Sequence, residues 1–412
     1  MPLPTFVFDL DMTLLDTSAL HKSRDRRDWG YVSDNLHLAR PFKANSTLRP
    51  HELPAKLREL GHLVAIVTSS PRWYAEALLN RFKVPYDALV ANRDTKERKP
   101  HPAPLKKALK QLGVKASSTY YVGDTKEDFE ASFRAGIRSI GAGWSPGVAS
   151  LWRTAPDILL YDASLLARPE LLPRLGYIAE VRATGLRPHI HQGSVLQCGR
   201  RRVALGRYFP SADVRHENHL LTRRILQLKK EDDPARRIGA SLALYITKLM
   251  KKPPTYVTSV PPKPSQTRNR FVAVISHMRI KVPNVKARLK GMRCLREVGD
   301  YKYSAHASRR ALVKGAFRSR PTWSNKSVLL VDDVLTSGAT TDECTRVLTK
   351  SDARVRTACI TATQLPFSLH ECPRCGIGIL KSRSGRFGQF WGCSRYRRGG
   401  RGCGYTRNSA PK

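Results

Sequence analysis

The sequence predicts an α/β chain: two open, mainly parallel sheets in succession, then a short metal-stapled β tail. Three observations carry this expectation. Apolar runs of strand length alternate with helical runs in both halves, at 5–8 (TFVF), 63–68 (LVAIVT) and 120–122 (YYV), and again at 255–260 (TYVTSV) and 328–331 (VLLV). Four of these runs lead into carboxylates or hydroxyls, as strand ends do when they form a site, and TYVTSV leads into Pro261-Pro262-Lys263-Pro264. Four cysteines, the first two spaced C-x2-C, fall after residue 370.

With 412 residues the chain has room for two to three domains, each with its own core. No apolar run approaches the length of a membrane span, and the N-terminus leads straight into a strand, so a cytoplasmic protein without a membrane partner is expected. The formal charge of +40 is uneven. Residues 1–170 hold 25 Lys+Arg against 19 Asp+Glu, residues 171–365 hold 38 against 13, and residues 366–412 hold 10 against 1. The field of the last two stretches suits a polyanion, most simply nucleic acid. Cys198, Cys294, Cys344 and Cys359 are scattered and read as reduced packing residues.

Residues 1–170 are expected to transfer phosphoryl groups. The strand TFVF ends in Asp9 and Asp11, two apart and therefore on one side of an extended segment, and Thr13 closes the pattern Asp-x-Asp-x-Thr. One carboxylate can attack phosphorus while its neighbour shuttles a proton. Thr68-Ser69-Ser70 ends the second strand with hydroxyls and N–H groups for phosphoryl oxygens. Lys99, in KPHP, brings a cation toward growing negative charge. Tyr120-Tyr121-Val122-Gly123-Asp124, with Asp128 four residues on, sets carboxylates at a strand end and one helical turn further, a natural Mg²⁺ site with Asp9. The order and spacing of these four motifs resemble the haloacid dehalogenase (HAD) superfamily of phosphatases over about residues 4–168, implying a Rossmann-like domain. The resemblance implies Asp9 as nucleophile, Asp11 as general acid/base, Thr68 and Lys99 on the phosphoryl group with Ser69 beside them, and Asp9, Asp11, Asp124 and Asp128 around Mg²⁺. The insert at about 18–47 is short and polar, so a small cap and an open site are expected.

Residues 171–232 read as a basic connector, with two strands around a Gly-containing turn in HIHQGSVLQCGRRRVALGRY and a helical start at TRRILQLKK. No metal site is read at His189, His191 and Cys198. Residues 233–365 are expected to form a second α/β domain around VLLVDDVLTSGAT (328–340). Here a buried strand leads to Asp332 and Asp333, carboxylates able to accept from ribose hydroxyls. A turn of small and hydroxyl residues follows, Thr336, Ser337, Gly338, Ala339 and Thr340, whose amides and helix dipole suit a phosphate. The stretch resembles the phosphoribosyl-diphosphate (PRPP) signature of type I phosphoribosyltransferases, in particular the ComF family. The resemblance implies that Arg268 and Arg270, after the proline-rich loop 261–264, meet the diphosphate, with Asp332 and Asp333 orienting the ribose.

Residues 366–412 read as a zinc ribbon. Cys372 and Cys375 are followed by Cys393 and Cys403, four thiolates in a segment too short to fold on an apolar core. Aromatic residues alternate with arginines, and Phe390, Trp391, Tyr396, Arg395 and Arg397 are read as contacts for single-stranded nucleic acid. The segment CPRCGIGILKSRSGRFGQFWGCSRY resembles the C-terminal zinc fingers of bacterial type I topoisomerases. Together these readings give a Mg²⁺-dependent phosphatase joined to a phosphoribosyltransferase, acting on a nucleotide or nucleic-acid-linked ribose phosphate and tethered to single-stranded DNA. The alternative is a DNA-binding protein that senses PRPP or a nucleotide without turning it over.

Overall fold

The computed structural model describes residues 3–43, 47–298, 306–320, 323–367, 372–375, 380–385, 388–393, 395 and 402–409, with the side chains of 306–309, 381 and 384 excepted. Two compact units result, one from Met1–Pro173 with Phe367–Lys412, the other from Arg174–Pro366.

The first unit is built on six parallel strands: β1 (Thr5–Phe8), β2 (Val64–Val67), β3 (Ala88–Val90), β4 (Thr119–Gly123), β5 (Arg138–Ala142) and β6 (Ile158–Leu160). Their spatial order is β3-β2-β1-β4-β5-β6. Strands β1, β2 and β3 are buried along their whole length, which is why each reads as a continuous apolar run rather than an alternating one. The order reverses between β1 and β4, the switch point outside whose strand carboxyl ends open α/β sheets place their crevice. The helix Lys126–Ala135 after β4 starts with a capping box: Thr125 accepts from the Asp128 amide, and Asp128 accepts from the Thr125 amide. The cap fixes the Asp128 carboxylate before any ligand arrives.

The second unit contains β7 (Leu196–Gln197), β8 (Arg202–Ala204), β9 (Arg207–Tyr208), β10 (Tyr256–Ser259), β11 (Lys286–Ala287), β12 (Met292–Cys294), β13 (Phe317–Ser319), β14 (Ser327–Leu335) and β15 (Arg354–Thr363). The main sheet runs β11-β10-β14-β15-β8-β7, with β9 also on β15, and β12 and β13 form a separate antiparallel ribbon. Residues 174–232 are no mere connector, contrary to the sequence expectation. The hairpin β7–β8 forms as read, but β8 pairs in parallel with β15, and Ile178, Leu205, Leu221 and Ile225 share one core with Ile238, Val274, Leu329 and Ile360. A buried ion pair fastens this segment: Arg207 Nη2 lies 2.8 Å from Glu180 Oε2, with His219 Nε2 at 3.3 Å. Burial alone would raise the Glu180 carboxyl, but Arg207 and then His219 hold it well below the usual carboxylate range. The high positive charge of 171–232 had disguised a structural segment as a linker.

Strand β14 also runs further than 328–331. It pairs with β15 through Asp332↔Cys359 and on to Leu335↔Ala362, so both aspartates belong to the strand and not to a loop after it. The tail forms β16 (Leu380–Gly385), β17 (Gly388–Cys393) and β18 (Thr406–Arg407), a three-stranded antiparallel sheet.

Candidate functional site

The carboxyl ends of β1, β2 and β4 bring four sequence motifs together. Asp9 follows β1, Thr68 follows β2 and Asp124 follows β4, so strands far apart in sequence deliver them to one edge of the sheet. At the centre sits the buried Lys99 ammonium, 2.8 Å from Asp9 Oδ1, 2.6 Å from Asp128 Oδ1 and 2.8 Å from the Tyr121 hydroxyl. Tyr121 donates to the same Asp128 Oδ1 at 2.9 Å. The other Asp128 oxygen accepts from the Thr125 hydroxyl at 2.7 Å, the Thr125 amide at 3.0 Å and the Asp124 amide at 3.2 Å. Asp128 is thus fully engaged and acts as the anchor that holds Lys99. Burial would raise its carboxyl, but Lys99 and the Thr125 donors win and lower it.

One cation faces three carboxylates. Ligand atoms of Asp9, Asp124 and Asp128 all lie within 4.8 Å of one another. Burial pushes Asp9 well above the ordinary range, against the pull of Lys99 and with repulsion from Asp128 and Asp124 added. Burial and Asp128 likewise push Asp124 up to about 7. Asp124 is held in place by the Thr13 hydroxyl at 3.3 Å and the Ser145 hydroxyl at 3.2 Å. An excess of buried negative charge on oxygen donors fits a hard divalent cation such as Mg²⁺, with Asp9 and Asp124 the carboxylates left to hold it.

Asp11 corrects the sequence expectation in one respect. Its side chain does not join the carboxylate cluster. Oδ2 accepts from Ser70 at 2.7 Å and pairs with Arg24 at 2.7 Å, while Oδ1 accepts from the Tyr74 hydroxyl at 2.8 Å. Asp11 is therefore held in place by three partners and is no side-chain ligand in this arrangement. Ser70 turns inward and its amide donates to Thr68 Oγ1 at 3.1 Å, whereas Ser69 is exposed at the crevice rim. Arg24, Tyr74 and Tyr121 escaped sequence reading. Arg24 comes from the insert helix His21–Arg26, and only folding shows that the insert reaches Asp11.

Gly123 is required by this packing. A Cβ there would lie 2.7 Å from the Asp128 carboxylate carbon. Gly123→Ala is expected to displace Asp128, costing about 1–3 kcal/mol of stability, and to weaken Mg²⁺ binding. Thermal melts with and without Mg²⁺ check both effects.

A family model described as haloacid dehalogenase-like hydrolase matches residues 50–142. The chain is 34% identical over 218 residues to the pyrophosphatase PpaX of Bacillus mycoides, covering 43% of this chain and 99% of that protein. The chain belongs to the haloacid dehalogenase-like hydrolase family. It is also 30% identical over 164 residues to a phosphoglycolate phosphatase of Pectobacterium atrosepticum, covering 38% of this chain and 64% of that relative. Among solved structures, CbbY of Rhodobacter sphaeroides in complex with phosphate matches with a TM-score of 0.30 and 19% identity, over 40% of this chain and 96% of that one.

Beyond the hydrolase unit, the structure sorts the remaining candidates. In the second unit Asp332 and Asp333 are buried and adjacent on β14. Arg270 Nη2 reaches both, at 3.0 Å from Asp333 Oδ2 and 3.9 Å from Asp332 Oδ1. Burial and the Asp333 charge push Asp332 up to about 7, with Arg270 opposing. Arg268 does not join them. It donates to the Leu228 carbonyl at 2.9 Å and pairs with Asp232. The turn after β14 leads into the helix Ala339–Lys350, and Gly338 caps it at φ +83°, which favours glycine. Thr336 shares a hydrogen bond with Thr363 at 3.1 Å, Ser337 Oγ accepts from the Ala339 amide at 3.4 Å, and Thr340 is half-buried. Arg202, unforeseen from sequence, packs its guanidinium against Gly338 and pairs with Asp342.

The four cysteines converge. All four sulfurs lie within 4.8 Å of one another, with Cys372–Cys403 and Cys375–Cys393 both 3.6 Å apart. Zn–S bonds of about 2.3 Å in a tetrahedron set sulfurs about 3.8 Å apart, so the thiols fit Zn²⁺ rather than disulfides. Trp391 corrects a second expectation. It is 7% exposed and packs with Leu380 and the cysteines, because β17 alternates and Trp391 shares its inner face with Cys393. It is not available for stacking bases. Phe390, on the other face, is half-buried and Arg395 is exposed, while Tyr396 and Arg397 lie outside the described residues.

Proposed function

We propose that this hydrolase is a Mg²⁺-dependent cytoplasmic phosphatase whose second unit holds a ribose phosphate such as PRPP and whose cysteine ribbon binds Zn²⁺ and a single nucleic-acid strand. The observation that carries the phosphatase reading is the Asp9 carboxylate, 2.8 Å from a buried ammonium at the β1/β4 crevice. Asp9 attacks phosphorus and carries the phosphoryl group as an acyl phosphate. Thr68 and Lys99 hold the phosphoryl oxygens, and Asp11, fixed by Arg24, Ser70 and Tyr74, moves the proton between leaving group and attacking water. Bound Mg²⁺ supplies Lewis-acid stabilisation of the charge on those oxygens. In the second unit Asp332 and Asp333 orient the ribose, and the turn Thr336–Thr340 takes the 5-phosphate.

The test is a screen of phosphorylated metabolites and nucleic-acid ends for phosphate release, run with wild type and Asp9→Asn. PRPP with Mg²⁺ and labelled single-stranded DNA tests the transferase half. Diphosphate release that disappears in Asp333→Asn supports transfer; PRPP binding without release supports sensing. One observation favours the sensing alternative: Arg268, expected on the diphosphate, is instead spent on Asp232 and the Leu228 carbonyl.

A further inference from the structure

The two-stranded ribbon of the second unit has one face fixed and one face unused. In the antiparallel pair β12–β13, Met292 faces Ser319, Arg293 faces Arg318 and Cys294 faces Phe317. Met292 and Phe317 are buried in the core with Trp323, Val328 and Leu330, so the inner face is firmly seated. The seat is strengthened by Arg288, whose guanidinium lies 5.0 Å from the Tyr256 ring centre and 4.9 Å from that of Trp323. The ribbon continues past its named ends, with Leu295 N–H donating to Ala316 O at 2.8 Å and Arg320 N–H to Gly291 O at 3.0 Å.

The outer face carries Arg293 and Arg318 directly opposite one another, both exposed, flanked by exposed Lys290 and Arg320. Like charges at directly opposed positions of a strand pair repel, and a folding role alone gives no reason for them. Among the described residues of 281–298 and 306–320 the one carboxylate is Glu297, and it is engaged elsewhere, accepting from the Ser265 amide at 2.6 Å. Among the described residues no carboxylate forms an ion pair with these basic side chains, and such a strip of cations complements a regularly spaced line of phosphates. Guanidinium binds phosphate oxygens in pairs, and release of the condensed counterions adds to affinity.

We infer that the Arg293–Arg318 ribbon is a nucleic-acid backbone-binding surface, separate from the cysteine ribbon and reading charge rather than sequence. Its partner is a phosphodiester chain, and its contribution is a salt-sensitive grip that holds the strand to the second unit.

The test uses the full chain and labelled oligonucleotides, single-stranded and duplex, with affinity measured against salt. The variant Arg293→Gln/Arg318→Gln should make the slope of log K against log salt less negative by about 1.4 on a single strand and about 1.8 on a duplex, the value of two lost phosphate contacts. The matched variant Lys110→Gln/Lys115→Gln removes the same charge from the first unit and should leave the slope unchanged. Arg293→Glu places opposite charges across the ribbon, so it should keep or raise the melting temperature while weakening binding. A readout that needs no variant is hydrogen exchange, where oligonucleotide should slow the amides of 291–295 and 316–320 in wild type. An unchanged slope in the double variant, or no added protection in wild type, overturns the inference. So does binding to phosphatidylserine-containing vesicles that needs these arginines while oligonucleotide binding does not. If Phe390→Ala and Arg395→Gln have no effect, the cysteine ribbon loses its proposed role and the Arg293–Arg318 contribution stands.

Discussion

Asp9→Asn should lower phosphate release by about 10⁴-fold or more, the scale of losing a covalent nucleophile, with the fold retained. The amide keeps the shape of the carboxylate, and Lys99 remains paired with Asp128 at 2.6 Å. What is lost is the oxygen proposed to attack phosphorus and one carboxylate of the cluster that fits Mg²⁺. Mg²⁺ should accordingly raise the melting temperature of wild type more than that of Asp9→Asn, by the linkage between ligand binding and stability. Circular dichroism and phosphate release on one preparation separate the two effects. Lys99→Met should behave differently. It leaves Asp9 and Asp128 buried without their cation, and breaking a buried pair costs about 3–5 kcal/mol. Its loss of activity should come with a loss of stability that Mg²⁺ partly restores. Equal activity in wild type and Asp9→Asn on every accepted substrate would remove Asp9 from the chemistry.

The second large effect is expected from metal removal at the tail. Structural zinc in small domains contributes about 10–16 kcal/mol of apparent folding free energy. Among the described residues, those that pack around the four thiols, Leu380, Trp391 and Tyr405, are too few to replace it. Purified protein should hold about one zinc per chain, as a four-thiolate site does. Cys393→Ser or a strong chelator should release it and expose Trp391, shifting its fluorescence to the red. Burial pushes the Cys393 thiol up to about 12, so its ionisation depends on a positive charge arriving among the sulfurs. Residues 1–173, which carry the proposed phosphatase site, should still release phosphate after chelation followed by Mg²⁺ addition. A Trp391 signal indifferent to both treatments would show that no metal organises the tail.

The hydrolase site was legible in the sequence because parallel strands deliver their carboxyl ends to one edge. Once 5–8, 63–68 and 120–122 are read as neighbouring parallel strands, Asp9, Thr68 and Asp124 fall at one edge of the sheet. The partners of Asp11 were not legible, since Arg24 stands on a helix inserted between β1 and β2 and its direction is fixed only by packing. Trp391 was misjudged for a related reason. Aromatic and basic residues alternate visibly in the tail, but which face of β17 meets the cysteines depends on register with β16 and β18. In the second unit Arg268 and Arg270 are two residues apart, yet only Arg270 meets the aspartates. Segment 174–232 looked like a linker because its charge hid the spacing of Ile178, Leu205, Leu221 and Ile225.

The strand order of the first unit also governs when the enzyme comes into being. Strand β1 lies between β2 and β4, so the crevice has one wall until residues 119–128 have left the ribosome. Asp9 is made early, yet Asp124, the carboxylate that faces it, follows only after more than a hundred further residues. A stalled, shortened chain ending before Asp124 would carry Asp9 and lack the carboxylate that faces it.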